Sequence, residues 1–243
     1  VFEPNLRPVG IHHPSTPALN TKNHDPPFGD SMVRITKVHT GVGDGGRTRH
    51  LDGSEVSKGD ARLEVVGTID ELNTVVGIVR MEIERLPIKS EDGGPRATVI
   101  KVQSMTDRKL ARVQQELFDL GAECSTLPDA VPEGMQLLPE GASERLIIEM
   151  DEWLEECEPL TSFILPTGSP AVANLHLARV VARRAERRLA MLRDIEGDSA
   201  VRAVALSYLH SVADWCFVLS RWITGQLGEE ETLWEPIGRR EPN

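Results

Sequence analysis

Apolar residues recur along most of the chain at steps of three and four, and that period predicts helices. Leu63, Val66, Ile69, Leu72, Val76 and Val79 share one face of a helix from about residue 61 to 86, with Asp60 as its cap and Pro87 as its stop. Val99, Val102, Leu110, Val113, Leu117 and Leu120 form the seam of a second, from about Arg96 to Cys124. A Pro- and Gly-rich stretch from Leu127 to Gly141 separates it from a short helix capped by Ser143 and ending near Glu156. After the loop FILPTGSP, Ser169 or a neighbour opens a fourth helix that fades at Glu196 and Gly197. Asp198 or Ser199 then starts a last one, reaching about Gln226. Five helices with short connectors predict an all-α antiparallel bundle over residues 32–228. No internal repeat interrupts the pattern.

The ends differ in character. Residues 1–31 carry Pro4, Pro8, Pro14, Pro17, Pro26 and Pro27 with no apolar period, so a disordered extension or a tag is expected there. They hold neither the apolar centre of a secretion signal nor the Arg-rich, acid-poor composition of a transit peptide. Residues 33–60 read as a short β-prone piece followed by a Gly- and Asp-rich loop, and residues 229–243 as a flexible tail. The formal charge of −11 excludes a general nucleic-acid binder, since no basic field is present to neutralise a phosphate backbone. Cys124, Cys157 and Cys216 have the spacing of neither a disulfide framework nor a zinc site, which fits a reducing compartment. No apolar run approaches the roughly 18 residues of a membrane span, so a soluble chain is expected. A cytoplasmic protein with no membrane partner is expected.

Candidate chemistry concentrates in RVVARRAERR, where Arg179, Arg183, Arg184, Arg187 and Arg188 surround Glu186. Arginines four apart share a helix face and repel. The block is therefore a solvated face, or it meets carboxylates of a packed partner, or it meets a polyanion such as a triphosphate. The run Gly41 to Gly46 satisfies GxGxxG, but no alternating strands and helices follow, and no Lys-Ser/Thr completes a Walker loop. Its clustered glycines form either an ordinary turn or a backbone cradle for phosphate oxygens. No nucleophile with an adjacent base, no HExxH and no paired ExxH is present, so neither a hydrolase nor a di-iron bundle is supported.

Four blocks together, TGVGDGGRT, SKGDARLEVVGTIDELN, FILPTGSP and RVVARRAERR, resemble the PduO-type ATP:cob(I)alamin adenosyltransferases over about residues 33–226. The resemblance implies a ferritin-like five-helix bundle with an N-terminal nucleotide-binding loop. It also implies a homotrimer with ATP and the corrinoid at subunit interfaces, and transfer of the adenosyl group of ATP to cob(I)alamin with release of triphosphate. Carried over by residue, the ATP contacts fall on Thr40, Gly41, Val42, Gly43, Thr48, Arg49, Lys58, Arg183, Arg184, Ala185, Glu186, Arg187 and His210. Arg183, Arg187, Glu186 and Phe163 are the implied catalytic set, with Phe163 beneath the corrin. Asp214 and His176 fall on the corrinoid side, and Arg179 is implied to pair with Asp70 across an interface. Magnesium is expected on the phosphates, with Glu186 either touching it or pairing with Arg183.

The chain departs from the family at Gly41 and Gly45, where basic residues are usual, and at His210, where asparagine is usual. Arg47 and Arg49 are candidates to replace the missing loop charge. His176 is equally a half-buried structural residue, and Trp153, Trp215, Phe217 and Trp222 are expected in the core or a subunit contact. An escort or sensor that binds corrinoid or ATP without turnover is the alternative function. An adenosylcobalamin-dependent client enzyme is a further expected partner.

Overall fold

The computed structural model describes residues 41, 43–50 and 52–239. A small antiparallel hairpin, β1 (Arg47–Arg49) and β2 (Glu55–Ser57), pairs Thr48 with Val56 and leads into five helices. These are α1 (Ala61–Glu84), α2 (Ala97–Ser125), α3 (Ala142–Leu154), α4 (Pro170–Glu196) and α5 (Ala203–Leu227). Helix α1 packs between α2 and α4, α4 also packs on α5, α5 closes against α2, and α3 lies on α5. The all-α bundle expected from the periodicity is the observed fold. Residues 33–40, which open the segment expected to begin with a short β-prone piece, lie outside the described residues.

The seam of α2 is buried at every expected position, because a 3.6-residue period on one face leaves no other place for Val99, Val102, Leu110, Val113, Leu117 and Leu120. Asp60 caps α1 as expected, accepting from the Arg62 amide at 2.8 Å. Two other caps differ. Helix α3 begins at Ala142 behind Gly141, and Ser143 instead sets its hydroxyl 3.2 Å from that of Ser207. Asp198 does not open α5, because its carboxylate accepts from Arg193 Nη2 at 2.7 Å and holds a short 3₁₀ turn, Asp198–Ala200. Val201 and Arg202 are then extended, and α5 starts at Ala203. By length and composition α5 is apolar enough to cross a membrane, although no such run stood out in the sequence. Most of it is buried inside the bundle as the core helix.

Buried charge stitches the helices together. Arg62 has no solvent exposure; its Nη1 donates to the carbonyls of Cys124 and Thr126 at 2.8 and 3.0 Å, and its Nη2 to that of Ala200 at 3.1 Å and to Glu196. Glu149 of α3 accepts both terminal nitrogens of Arg112 at 2.7 and 3.0 Å and the Trp215 indole at 2.9 Å, with Lys109 Nζ at 3.2 Å. Glu116 accepts from the Tyr208 hydroxyl at 2.8 Å and from Arg145 at 3.0 Å. The segment after α5, expected to be flexible, is ordered at its start: Arg221 Nε donates to Glu231 at 2.8 Å, and Thr232 O accepts from the Leu165 amide at 2.8 Å.

Burial pushes the Glu149 carboxyl up, but the hydrogen bonds from Arg112 and Trp215 and the Arg112 charge outweigh it and hold the group below its ordinary value of 4.5. The unfolded chain therefore takes up this proton first as pH falls. The stabilisation from ionised Glu149 is complete above pH 4.5 and is lost as pH drops through the lowered folded value. Glu149→Gln should be less stable than wild type at pH 7, with the gap in urea-unfolding free energy narrowing towards pH 3. A gap that stays constant over that range would show that folding does not lower the Glu149 pKa.

Candidate functional site

The glycine loop folds back on itself, with the Asp44 amide donating to Gly41 O at 3.3 Å and the Gly46 amide to Gly43 O at 3.2 Å. The Lys58 amide donates to Gly46 O at 2.9 Å, which holds the end of β2 beside the loop. Its side chain lies over Gly43 so closely that a Cβ there would stand 2.8 Å from Nζ. The bare glycine gives the ammonium its seat against the backbone. Thr48 is half-buried in β1, and Gly41 is exposed. Thr40 and Val42 lie outside the described residues. Of the candidates to replace the missing loop charge, Arg47 pairs with Glu55 at 2.5 Å with both side chains exposed, and Arg49 donates to Gly53 O at 3.1 Å.

Helix α4 divides its arginines. Arg184 pairs with Glu71, and Arg188 Nε stands 3.2 Å from Glu64; both carboxylates come from α1, two helical turns apart. Arg183 and Arg187 are exposed, and among the described residues no carboxylate pairs with either. Arg187 Nη1 reaches only the Arg183 carbonyl, at 3.0 Å. Two adjacent guanidiniums thus keep their full charge on one face, which suits a polyanion. Ala185 is fully buried, so its methyl belongs to the core and cannot be a ligand contact. The glutamates that neutralise Arg184 and Arg188 were not singled out in the sequence, although both lie in the SKGDARLEVVGTIDELN block at a seven-residue spacing.

Glu186 does not pair with Arg183. Its Oε1 lies 3.2 Å from His210 Nδ1 on α5, and His210 Nε2 lies 3.5 Å from Asp214 Oδ2. This line of three polar groups joins an expected ATP residue to an expected corrinoid residue. Among the described residues no group of His, Cys, Asp or Glu could hold a metal ion by itself. A magnesium ion would fit here only if phosphate and water supplied most of its oxygens, with Glu186 adding one.

Phe163 is 78% exposed in the loop before α4. Trp234 meets it edge-on, with ring centroids 6.1 Å apart, and the Trp234 amide donates to Phe163 O at 2.6 Å. Ser162 Oγ donates to Trp234 O at 2.9 Å, and Ile164 bridges to Leu233. This apolar partner was not expected from the sequence; Trp234, beside Leu233 in a largely polar tail, was the available signal. Gly168 shapes the same loop, with φ of +138° and Val172 Cγ1 2.7 Å from where a Cβ would stand. His176 is only 4% exposed, among the residues of this loop, α5 and the chain after it. Burial, and then the Arg179 charge, lower its pKa and favour the neutral ring. Its position is that of a structural residue rather than a surface contact. Arg179 turns towards α5, 5.9 Å from the Phe217 ring centroid, while Asp70 is exposed on α1. The two do not meet within one chain.

The glycine loop and Phe163 thus lie at opposite ends of the bundle, with Arg183, Glu186 and Arg187 midway along α4. Lys58 and the glycine loop precede α1, whose start meets the end of α4 through Arg62 and Glu196. Phe163 precedes the start of α4. Helix α4 has 27 residues and so spans about 40 Å at 1.5 Å per residue.

The sequence model of the cobalamin adenosyltransferase family matches residues 38–223. A cobalamin adenosyltransferase of Cupriavidus metallidurans is 34% identical over 206 residues, covering 83% of this chain and 96% of that protein. A corrinoid adenosyltransferase of Mycobacterium leprae is 34% identical over 213 residues, covering 85% and 99%. A solved variant of a PduO-type ATP:corrinoid adenosyltransferase from Lactobacillus reuteri, complexed with cobalamin and ATP, shares the fold with a TM-score of 0.69. It has 24% identity and covers 82% of this chain and 100% of that one.

The two close-packed glycines should respond differently to substitution. Gly43→Ala collides only with the mobile end of Lys58, so the melting temperature should hold while ATP affinity, measured by titration, falls to the level of Lys58→Ala. Gly168→Ala meets both the Val172 branch and a strained backbone, and should lower the melting temperature. Unchanged ATP affinity in Gly43→Ala would separate Lys58 from the nucleotide.

Proposed function

Because the chain belongs to the cobalamin adenosyltransferase family, we propose that it transfers the 5′-deoxyadenosyl group of ATP to cob(I)alamin, giving adenosylcobalamin and triphosphate. The observation that carries the site assignment is the division of the arginines on α4. Arg184 and Arg188 are neutralised by α1, whereas Arg183 and Arg187 are left charged and exposed.

The chemistry matches what the site contains. Cobalt(I) is itself the nucleophile: its electron pair forms the bond to C5′ as the C5′–O bond breaks, and the bonding pair of C5′–O leaves with the triphosphate. No protein base is needed. The protein's work is to orient ATP and to stabilise the charge that collects on the leaving group. Lys58 over the glycine loop and the Arg183/Arg187 pair are the cations suited to that task. Glu186 is the carboxylate at hand for a magnesium ion, whose contribution would be further neutralisation of phosphate charge. Phe163, exposed and backed by Trp234, offers an apolar surface to the corrin face.

We assign the working unit as a homotrimer. Lys58 and Phe163 stand at opposite ends of one bundle, which favours a site assembled from two chains. Asp70 and Arg179 lack each other within the chain, in keeping with a pair across an interface. The free cysteines, with burial raising Cys124 and Cys216 to about 12, suit a cytoplasmic setting. Catalysis is favoured over a binding-only escort by the transferase relatives and by the retained phosphate-directed cations.

Reduced cobalamin mixed with ATP and the protein should develop the spectrum of adenosylcobalamin. Arg183→Ala and Arg187→Ala should lose most of that activity with helix content unchanged, because the helix sheds like-charge repulsion. Arg→Lys at either position should also fail substantially, since a point charge does not replace a bidentate fork. Arg188→Ala, which removes a charge already paired with Glu64, should cost far less. Equal losses at positions 183, 187 and 188 would refute the division of labour.

A further inference from the structure

The geometry points to His210 as a positioning residue that draws the Glu186 carboxylate away from the Arg183/Arg187 pair, rather than as a ligand of the nucleotide. The inference rests on the proposed activity and on three observations. Both ring nitrogens of His210 already face protein carboxylates, Nδ1 at 3.2 Å from Glu186 and Nε2 at 3.5 Å from Asp214. Glu186 stands three residues after Arg183 and one before Arg187, so helical spacing alone would set it on Arg183. It crosses to α5 instead, and the two guanidiniums have no carboxylate partner among the described residues.

The consequence is electrostatic. A glutamate resting on Arg183 would cancel part of the charge that an incoming triphosphate needs, and would have to be displaced before the anion could bind. In the Nδ1–H tautomer His210 donates to Glu186 and supplies it with a competing partner. Asp214, one turn further along α5, stands 3.5 Å from the other nitrogen, which in this tautomer has no hydrogen to donate and leaves Glu186 as the carboxylate that the ring binds. The imidazole thereby acts on phosphate through a carboxylate that it does not share with phosphate.

A double-mutant cycle tests this with inorganic triphosphate as the probe and magnesium absent, so that any metal role of Glu186 is silent. His210→Ala should weaken triphosphate binding about three- to tenfold, the range expected for coupled neighbours. Adding Glu186→Gln should restore binding to at least the wild-type level, because the competing carboxylate is gone. His210→Gln, which keeps a donor, should bind nearly as wild type does. In steady-state assays with ATP, His210→Ala should raise KM while leaving kcat close to wild type. A direct ligand would instead show the same loss with and without Glu186→Gln, and that result overturns the assignment. Wild-type protein that binds neither triphosphate nor ATP would overturn the activity itself, and this inference with it.

Discussion

Arg62 is a full positive charge with no access to water, and such a charge is tolerated only where hydrogen bonds surround it. Its acceptors come from the end of α2, the end of α4 and the turn before α5, so it ties those three segments to the start of α1. Helix register follows. With Arg62 anchored at Glu196, Glu64 comes to Arg188 and Glu71 to Arg184, because the two helices run antiparallel. Arg62 thus helps to set which arginines on the neighbouring helix are ion-paired and which are not.

That selection matters because α4 has to serve two purposes along one length. One side of it meets α1 and α5 and must be neutral or apolar, as Ala182, Ala185 and Leu189 are. Another side carries charge suited to the leaving group of the proposed reaction, without becoming a source of helix-splitting repulsion. Pairing alternate arginines with carboxylates fixed on α1 eases the repulsion while leaving a compact cationic step at Arg183 and Arg187. The same logic accounts for the direction of Glu186, whose partner lies across the groove on α5 and not on its own helix.

The α2 seam was legible in the sequence because period alone determines it, whereas on α1 Leu63 and Val66 are half-buried beside buried Arg62 and Val65, and the basic blocks were legible because their residue types and order resemble a known family. Contacts that depend on distant chain were not. Ser143 and Asp198 both look like caps locally, yet Ser207 and Arg193 claim their oxygens. Glu186 obeys a cross-helix contact instead of the spacing within its helix. Residues 229–239 have a composition that reads as tail, and their order comes from Arg221, Leu165 and Phe163, which no local pattern reveals. Ala185 illustrates the opposite case, where a residue carried over as a ligand contact proves to be core.

The four tryptophans of the chain are distributed in a way that gives the protein two separate optical voices. Trp153, Trp215 and Trp222 form one buried cluster, with centroids 5.3 and 5.9 Å apart from Trp153, and their emission belongs to the interior. Trp234 alone is partly open to solvent, at the edge of Phe163. Light emitted at longer wavelength therefore originates beside the exposed phenyl ring, and light at shorter wavelength in the interior. An absorbing guest at Phe163 would darken the first strongly through its proximity, so the molecule carries its own gauge of occupancy, distinct from its gauge of folding.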